Sequence, residues 1–223
     1  MIMIRLVDFV TSTVALALLA PLFLAVMLIL RFSGEHEVFY LQERVGQGGR
    51  PFRVFKFATM LKESPNLAGG YLTQKDDPRV LPFGQFLRKW KINELPQLLN
   101  VWLGQMSLVG PRPQAAVHYN LYNDRQKAAI DALKPGLTGL GSLIFRDEEG
   151  LLERSGLEFD YVHDELITPY KGDLELWYGT NRSIGLYFRI LFLTAISILV
   201  PGGSYLESFS GVPQPPPELR ALL

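Results

Sequence analysis

Lys56, Arg88, Asn93, Glu94 and Arg112 are the side chains in this sequence best suited to chemistry on a charged substrate. They combine fixed cations with a single carboxylate, Glu94, and a carboxamide, Asn93. Arginine binds phosphate oxygens bidentately. A carboxylate such as Glu94 is a hard oxygen donor of the kind a divalent cation prefers. Leu95, Leu98, Leu99 and Trp102 follow the spacing of an amphipathic helix. Pro96 fits only the first turn of that helix, which makes Asn93 an N-cap or first-turn residue. Helix N-termini attract phosphate through free N–H groups and the helix dipole. The chemistry implied is the handling of an anionic phosphate, with a divalent cation on Glu94. The same residues also read as a capped helix with solvated basic neighbours, and their pattern alone leaves the two readings level.

Other chemistries have less support. The chain has no cysteine, which excludes disulfides, thiolate catalysis and cysteine metal sites. His36, His118 and His163 show no ligand spacing and read as surface or packing residues. There is no GxSxG elbow and no Walker loop. Gly46, Gly48 and Gly49 lie between two strand-like runs and read as a turn, since no strand–GxGxxG–helix context surrounds them. The chain carries 22 basic and 22 acidic residues, so the formal net charge is zero. Nucleic-acid binding normally shows a basic excess, so no nucleic-acid partner is expected.

The elements that must position the cluster follow from the apolar patterning. From Phe9 to Leu30 no residue carries a formal charge. As a helix this run is about 33 Å long, enough for a bilayer core of about 30 Å. Pro21 lies within it and predicts a kink. Arg5 precedes the run and Arg31 follows it. A simple span puts one of them on the wrong side of the membrane, whereas a helix–break–helix hairpin keeps both on the cytoplasmic side. Thr11, Ser12 and Thr13 supply hydroxyls for local backbone groups. The run therefore reads as a re-entrant insertion into one leaflet.

Val38–Leu41 and Phe52–Phe57 read as strands. Gly84–Trp90 reads as a helix ending in basic residues, and Lys62–Asp77 as a surface loop. Arg112 sits between Pro111 and Pro113, which fix the backbone on both sides. Tyr119–Leu133 reads as a polar helix, and Leu157–Tyr178 as helix interrupted by Pro169. Gly185–Val200 is a second apolar run, short for a span; an interfacial helix with Arg189 snorkelling and a core helix fit it equally. The proline-rich end after Pro201 reads as extended or disordered.

Three segments carry a specific resemblance: VFYLQERVGQGGRPFRVFKFATM, DPRVLPFGQFLRKWKINELPQLLNVWLGQMSLVGPRP and LKPGLTGLG. Together, and in this order, they resemble the monotopic phosphoglycosyl transferases, or bacterial sugar transferases, over roughly residues 1 to 200. The resemblance implies an α+β fold: a mostly helical cytoplasmic catalytic domain with a small β-hairpin. That domain is anchored by an N-terminal re-entrant, proline-broken membrane helix and by interfacial amphipathic helices. The expected layout is a membrane hairpin over 1–32, a catalytic domain over 33–200 and a loop-like tail over 201–223. The implied activity moves a sugar-1-phosphate from a nucleoside diphosphate sugar, usually a UDP-sugar, to a polyprenyl phosphate in the bacterial inner membrane. The implied mechanism has two steps. An aspartate takes up the phosphosugar covalently, and the lipid phosphate then displaces it, with Mg2+ required. A homodimer or a partner protein is left open.

Carried over residue by residue, the family's adjacent Asp-Glu pair falls on Asn93 and Glu94. Glu94 takes the metal role. Lys56, Arg88 and Arg112 become phosphate contacts, Arg146 a contact to the nucleotide sugar, and Glu175 a substrate-side acid. Two departures stand out. Ala58 replaces a basic residue of the KFxTM segment. Asn93 replaces the nucleophile, and an uncharged carboxamide is a very poor nucleophile toward phosphorus. It still caps a helix as well as aspartate does. Asn93 thus admits an engineered Asp-to-Asn form, a member whose nucleophile comes from elsewhere, or a silent relative serving as a scaffold or partner-binding protein.

Overall fold

The computed structural model describes residues 2–64, 77–158, 160–200 and 205–223. Most of the expected Lys62–Asp77 loop lies outside the described residues. The chain forms two compact units. The first comprises Met1–Glu43 and Phe52–Gly104, the second Arg44–Pro51 and Gln105–Leu223.

In the first unit, α1 (Ile2–Phe32) is one long apolar helix, long and apolar enough to cross a membrane. Pro21 lies inside it, so the element continues through the expected break. The hydroxyls of Ser12 and Thr13 both donate to the Phe9 carbonyl. Much of the helix is exposed, but its two ends are engaged. Near its start, Arg5 donates to the carbonyls of Val101 (2.6 Å) and Trp102 (2.7 Å). Those carbonyls belong to the last turn of α3 (Gln97–Leu103), where a cation is favoured by the helix dipole. Phe9 stacks on Trp102. Near its end, Val26 and Leu30 are buried with Phe57 and Leu87 in the core of the unit.

The strands β1 (Phe39–Val45) and β2 (Pro51–Phe57) pair through a tight turn, in which Gly48 (φ 71°) and Gly49 (φ 68°) take left-handed conformations. The glycines there serve a turn, as their context predicted. α2 (Pro82–Lys89) follows, packed so closely on Thr59 that a Cβ at Gly84 would collide with the Thr59 carbonyl. Asn100 of α3 is fully buried. Its carboxamide accepts from Phe55 N–H (2.9 Å) and donates to the Arg53 carbonyl (2.8 Å), fastening α3 to β2. The buried stripe of α3 is Gln97, Leu98, Asn100 and Val101, so Trp102 lies on the outer side, rotated from the predicted face.

The second unit is helical around a short parallel pair, β3 (Ser107–Val109) and β4 (Gly136–Thr138). The predicted polar helix is two elements, α4 (Ala116–Tyr119) and α5 (Asp124–Asp131). The break falls at Asn123, whose side chain forms a capping box with Gln126. α6 (Leu140–Ile144) and α7 (Glu148–Ser155) lead to a π-helical turn, Tyr161–Ile167, which runs directly into α8 (Thr168–Asn181). Pro169 does not interrupt this run; it falls where the π-helical turn gives way to α8, a junction at which the helical hydrogen-bond pattern changes register. α9 (Ile184–Leu199) is capped by Ser183 and is two-sided. Tyr187 and Ile190 are buried, while Ile184, Phe188, Phe192 and Ile198 are exposed.

The described part of the tail, expected to be extended or disordered, is largely without regular structure and packs several apolar side chains. Phe209, Val212 and Leu219 are buried, and Tyr170 donates to the Pro213 carbonyl (2.8 Å). Apolar residues spaced among the prolines supply the burial, and α10 (Pro217–Arg220) closes the chain.

Asn100→Ala should destabilise the protein by about 2 kcal/mol or more, because a buried N–H and a buried C=O lose their partner together. Thermal unfolding of the purified protein in detergent measures this. An unchanged melting temperature would remove Asn100 from the account.

Candidate functional site

Within the first unit, Lys56, Arg88, Asn93 and Glu94 come from three elements. Lys56 lies on β2 and Arg88 in the last turn of α2. Asn93 and Glu94 lie in a 3-10 turn, Ile92–Glu94, that follows Lys91. Lys91 is a non-glycine residue in the left-handed region (φ 56°), a conformation that persists only where its surroundings enforce it. This turn reverses the chain between α2 and α3 and carries Asn93 inward. Asn93 is 7% exposed, and its Oδ1 has no hydrogen-bond partner. It caps no helix. Lys91 precedes the turn and Pro96 holds the N-cap position of α3, neither with a side-chain cap. Carboxamide capping is thus not what keeps Asn93 in place.

Lys56 Nζ lies 3.9 Å from Glu94 Oε1. That is an ion pair, but too long for a direct hydrogen bond. A pair this loose is easily exchanged for a substrate phosphate or a metal ion. Arg88 adds a positive field that helps hold the Asp77 carboxyl below the usual carboxylate range; the larger cause is the Arg79 side chain, which hydrogen-bonds Asp77 directly. The Asp77–Arg79 pair is buried, with a closest N–O distance of 2.6 Å. Removing either partner would strand a charge, at about 3–5 kcal/mol. Sequence reasoning missed this pair, although Asp-Pro-Arg stands in one of the resembling segments.

Asn93 and Glu94, neighbours in the chain, offer oxygen donors of the kind Mg2+ takes. Mg2+ takes one or two protein oxygens and keeps water and phosphate for its other positions. Asn93 Oδ1, buried and unpartnered, is a donor of the required hardness. Among the described residues no group of three or more His, Cys, Asp or Glu could hold a metal unaided. A cage of protein ligands is therefore not the arrangement these residues offer.

The second unit holds Arg112, Arg146 and Glu175. Arg112 follows β3, on a loop stitched to the β4 segment. Gly110 N–H donates to the Thr138 carbonyl (2.9 Å), and Gly136 N–H to the Pro111 carbonyl (2.8 Å). A Cβ at Gly110 or Gly136 would collide with backbone of the facing segment, so this approach requires glycine on both sides. Arg112 also borders a pocket shared with Gly46, Tyr119 and Pro135. Arg146 donates to Ser197 Oγ on α9.

Glu175 is turned inward. It is 4% exposed and accepts from the Gly141 N–H, beneath the Gly139–Gly141 loop. Its place on the buried face of α8 sets one of its oxygens against the start of α6, while Oε2 is buried without a hydrogen-bond partner. Burial pushes its carboxyl up to about 7, against the pull of the Gly141 hydrogen bond and Lys171.

A cluster that sequence reasoning missed lies beside these residues. Glu148, at the start of α7, takes two 2.7 Å hydrogen bonds from Lys171 Nζ on α8. His163 Nε2, from the π-helical turn, lies 3.8 Å from the same carboxylate. Burial pushes the Glu148 carboxyl up, but Lys171, His163 and Arg112 outweigh it and hold it below the usual glutamate range. His118 stacks against His163, with ring centroids 4.8 Å apart. Burial and then the His163 charge lower the His118 pKa. Spacing could not reveal this group, because its members come from separate helices.

The Glu175 shift gives stability a pH dependence. Between the ordinary value of 4.5 and about 7, the folded chain holds a proton that the unfolded chain has released. That contribution is full below the ordinary value and is lost as pH rises through about 7. Glu175→Gln should therefore melt higher than the wild type at pH 8 and about equally at pH 5. A variant less stable at both pH values would refute this.

Comparison with known proteins identifies the family. Residues 1–201 match the family described as bacterial sugar transferase. The chain is 41% identical over 205 residues to a UDP-glucose:undecaprenyl-phosphate glucose-1-phosphate transferase of Caulobacter vibrioides, covering 90% of this chain and 71% of that protein. It is 36% identical over 214 residues to the exopolysaccharide production protein ExoY of Rhizobium meliloti, covering 89% and 86%. It is 32% identical over 200 residues to a UDP-N-acetylgalactosamine-undecaprenyl-phosphate N-acetylgalactosaminephosphotransferase of Aeromonas hydrophila, covering 88% and 44%. A match that runs through the apolar helix, the Asn93–Glu94 turn and the Arg112 loop alike places this chain in the bacterial sugar transferase family.

Proposed function

We propose that this chain transfers a sugar-1-phosphate from a UDP-sugar to a polyprenyl phosphate at the inner membrane, as the first membrane step of an exopolysaccharide or related glycan. The observation that carries this reading is the loose Lys56–Glu94 pair beside the buried, unpartnered Asn93 oxygen. It is a cation and oxygen-donor set of the kind a diphosphate and its counter-ion require. Glu94, with Asn93 Oδ1, would hold Mg2+, which neutralises phosphoryl oxygens as charge moves to the leaving group. Lys56 and Arg88 would contact phosphate oxygens, and Arg112 would bind them bidentately. Arg146 would face the nucleotide sugar, and Glu175 would hold the Gly139–Gly141 loop from below.

A second reading rests on Asn93 itself. A carboxamide at this position closes covalent attack from it. If nothing else supplies a nucleophile, the chain binds its substrates without turnover and serves as a scaffold.

Release of UMP decides between the two. The purified chain in nanodiscs, given Mg2+, undecaprenyl phosphate and a panel of UDP-hexoses and UDP-N-acetylhexosamines, should release more than one UMP per chain only when the lipid is present. Glu94→Gln and Arg112→Ala should each lower the rate by about 100-fold. Asn93→Asp should raise it. Release confined to the Asp form would favour the scaffold reading. None from either form would defeat the transferase.

The topology proposed is re-entrant, with the catalytic part facing the cytoplasm. Engagement of both Arg5 and Leu30 by one compact unit supports a helix that returns to the side it left. The exposed apolar side of α9 supports interfacial contact. The chain lacks cysteine, so Met3→Cys and Glu35→Cys can be labelled singly. Both should resist an impermeant maleimide in intact spheroplasts and react after permeabilisation. Labelling of Met3→Cys in intact spheroplasts would overturn the re-entrant arrangement.

A further inference from the structure

We propose that Arg5 is a positioning residue for the metal-donor turn Ile92–Glu94, which it holds through α3. The inference rests on the transferase reading above and deepens it. The residues concerned all lie in the first unit.

The Arg5 guanidinium reaches the end of α3, 96 positions away in sequence. One nitrogen donates to the Val101 carbonyl at 2.6 Å and the other to the Trp102 carbonyl at 2.7 Å. The last carbonyls of a helix have no intrahelical partner and carry the negative end of its dipole. A rigid fork on two of them fixes both the place and the direction of that helix end. Its neighbours hold the fork in turn. Phe9, one turn along α1, stacks on Trp102 with ring centroids 6.0 Å apart, and Arg5 Cζ lies 5.9 Å from the Phe9 ring centre. Gly104 is left-handed (φ 82°) and comes so close that a Cβ there would stand 3.0 Å from Arg5 Nη2. An arginine that served only to keep its end of α1 at the membrane surface would need no protein acceptor.

The consequence for the site follows from where this clasp acts. α3 runs seven residues, from Gln97 to Leu103, or about 10 Å. Asn100 at its middle is buried and bonded to the Phe55 N–H and the Arg53 carbonyl. That pins α3 to the strand carrying Lys56, which follows Phe55. One pin fixes where the helix lies but not its tilt. Leu98 and Val101 are buried beside it, but apolar burial has no direction of its own. Arg5 supplies the second fixed point.

The turn with Asn93 and Glu94 lies on the other side of Asn100. It is continuous with α3 through backbone bonds from Glu94 to Lys91, Leu95 to Ile92 and Leu98 to Leu95, at 3.0–3.2 Å. A tilt about Asn100 that shifts the Val101–Trp102 end therefore shifts Asn93 and Glu94 the opposite way. Lys56 stays with the pinned strand, so the 3.9 Å Lys56–Glu94 spacing registers the tilt directly. A misplacement of about 1 Å is enough to cost a site much of its worth.

The test separates the fork from its charge. Arg5→Lys keeps a positive charge beside the apolar run but replaces the planar fork by a single ammonium. Arg5→Gln removes the charge as well. Mn2+ alone is titrated into each purified chain in nanodiscs and followed by electron paramagnetic resonance, with Glu94→Gln giving the binding that does not involve the site. Glu94-dependent Mn2+ affinity should fall about 5-fold in Arg5→Lys and about 10-fold in Arg5→Gln. In the UMP assay KM for Mg2+ should rise by similar factors, with KM for undecaprenyl phosphate unchanged. Gly104→Ala crowds the guanidinium while leaving Arg5 in place, and should act in the same direction. Should both Arg5 variants fail to fold, Gly104→Ala decides. A lower melting temperature with unchanged Mn2+ affinity would reduce Arg5 to a structural contact and overturn the proposal. So would an Arg5→Lys chain that binds Mn2+ like the unaltered one, or an unaltered chain with no Glu94-dependent Mn2+ binding. If no form releases UMP while Mn2+ affinity still follows Arg5, the transferase reading fails and the positioning role stands.

Discussion

The backbone contact between β3 and β4 is the constraint on which the second unit depends. Ser107 N–H donates to the Pro135 carbonyl, Gly110 to Thr138 and Gly136 to Pro111, all at 2.8–2.9 Å. No side chain fits at Gly110, Gly136 or Gly139 without striking backbone across the contact. Two loops are thereby welded at their roots. One, clamped by Pro111 and Pro113, presents Arg112. The other runs through Gly139–Gly141 over Glu175 and on to Arg146 and Glu148. Because phosphate recognition by arginine is geometric as well as electrostatic, a guanidinium on a free loop would lose much of its worth. The short strands matter less as a sheet than as the fixed base of both loops.

The first unit answers a different demand, the reconciliation of an apolar helix with a charged site. Val26 and Leu30 of α1 help build the core that also contains Phe57 and Leu87. Phe57 ends the strand that carries Lys56, and Leu87 precedes Arg88. The anchor helix and the cationic residues are therefore supported by the same packed side chains. At the other end of α1, Arg5 satisfies carbonyls at the end of α3, whose beginning follows Asn93 and Glu94. A disturbance of α1 at either end reaches the site through at most one intervening element.

Sequence made the local features readable and left the assembled ones dark. The hairpin, the glycine turn, α2, α3 and both apolar helices follow from periodicity and turn chemistry, which act over a few residues. Asn93 reads locally as an N-cap or first-turn residue because Asn before a helical stripe has that meaning, yet it lies inside the 3-10 turn ahead of α3. The left-handed Lys91, which turns Asn93 inward, has no local signature. The face of α3 was rotated because Asn100, polar by type, is buried by its bonds to β2. The tail was read as loose because proline density obscured Phe209, Val212 and Leu219, whose burial depends on surfaces made elsewhere. Glu148, His163 and Lys171 stand apart in sequence and meet only once three helical elements fold.

With the carboxylate at position 93 treated as the sole source of reactivity, its replacement silences the chain, and the surrounding phosphate machinery has no reason to stay poised. Yet the poise is visible. Glu94 and Lys56 sit in a loose, exchangeable pair, and an unpartnered oxygen beside them has the hardness a metal wants. Glu148 is kept ionised against its own desolvation by lysine, histidine and the arginine of the GPRP loop. Maintaining a half-buried carboxylate in that state is energetically demanding, and a hydrophobic replacement would often be as stable. Packing alone therefore does not account for it. A charge retained under those terms ties the start of α7 to α8 through Lys171 and so fixes the elements that carry it.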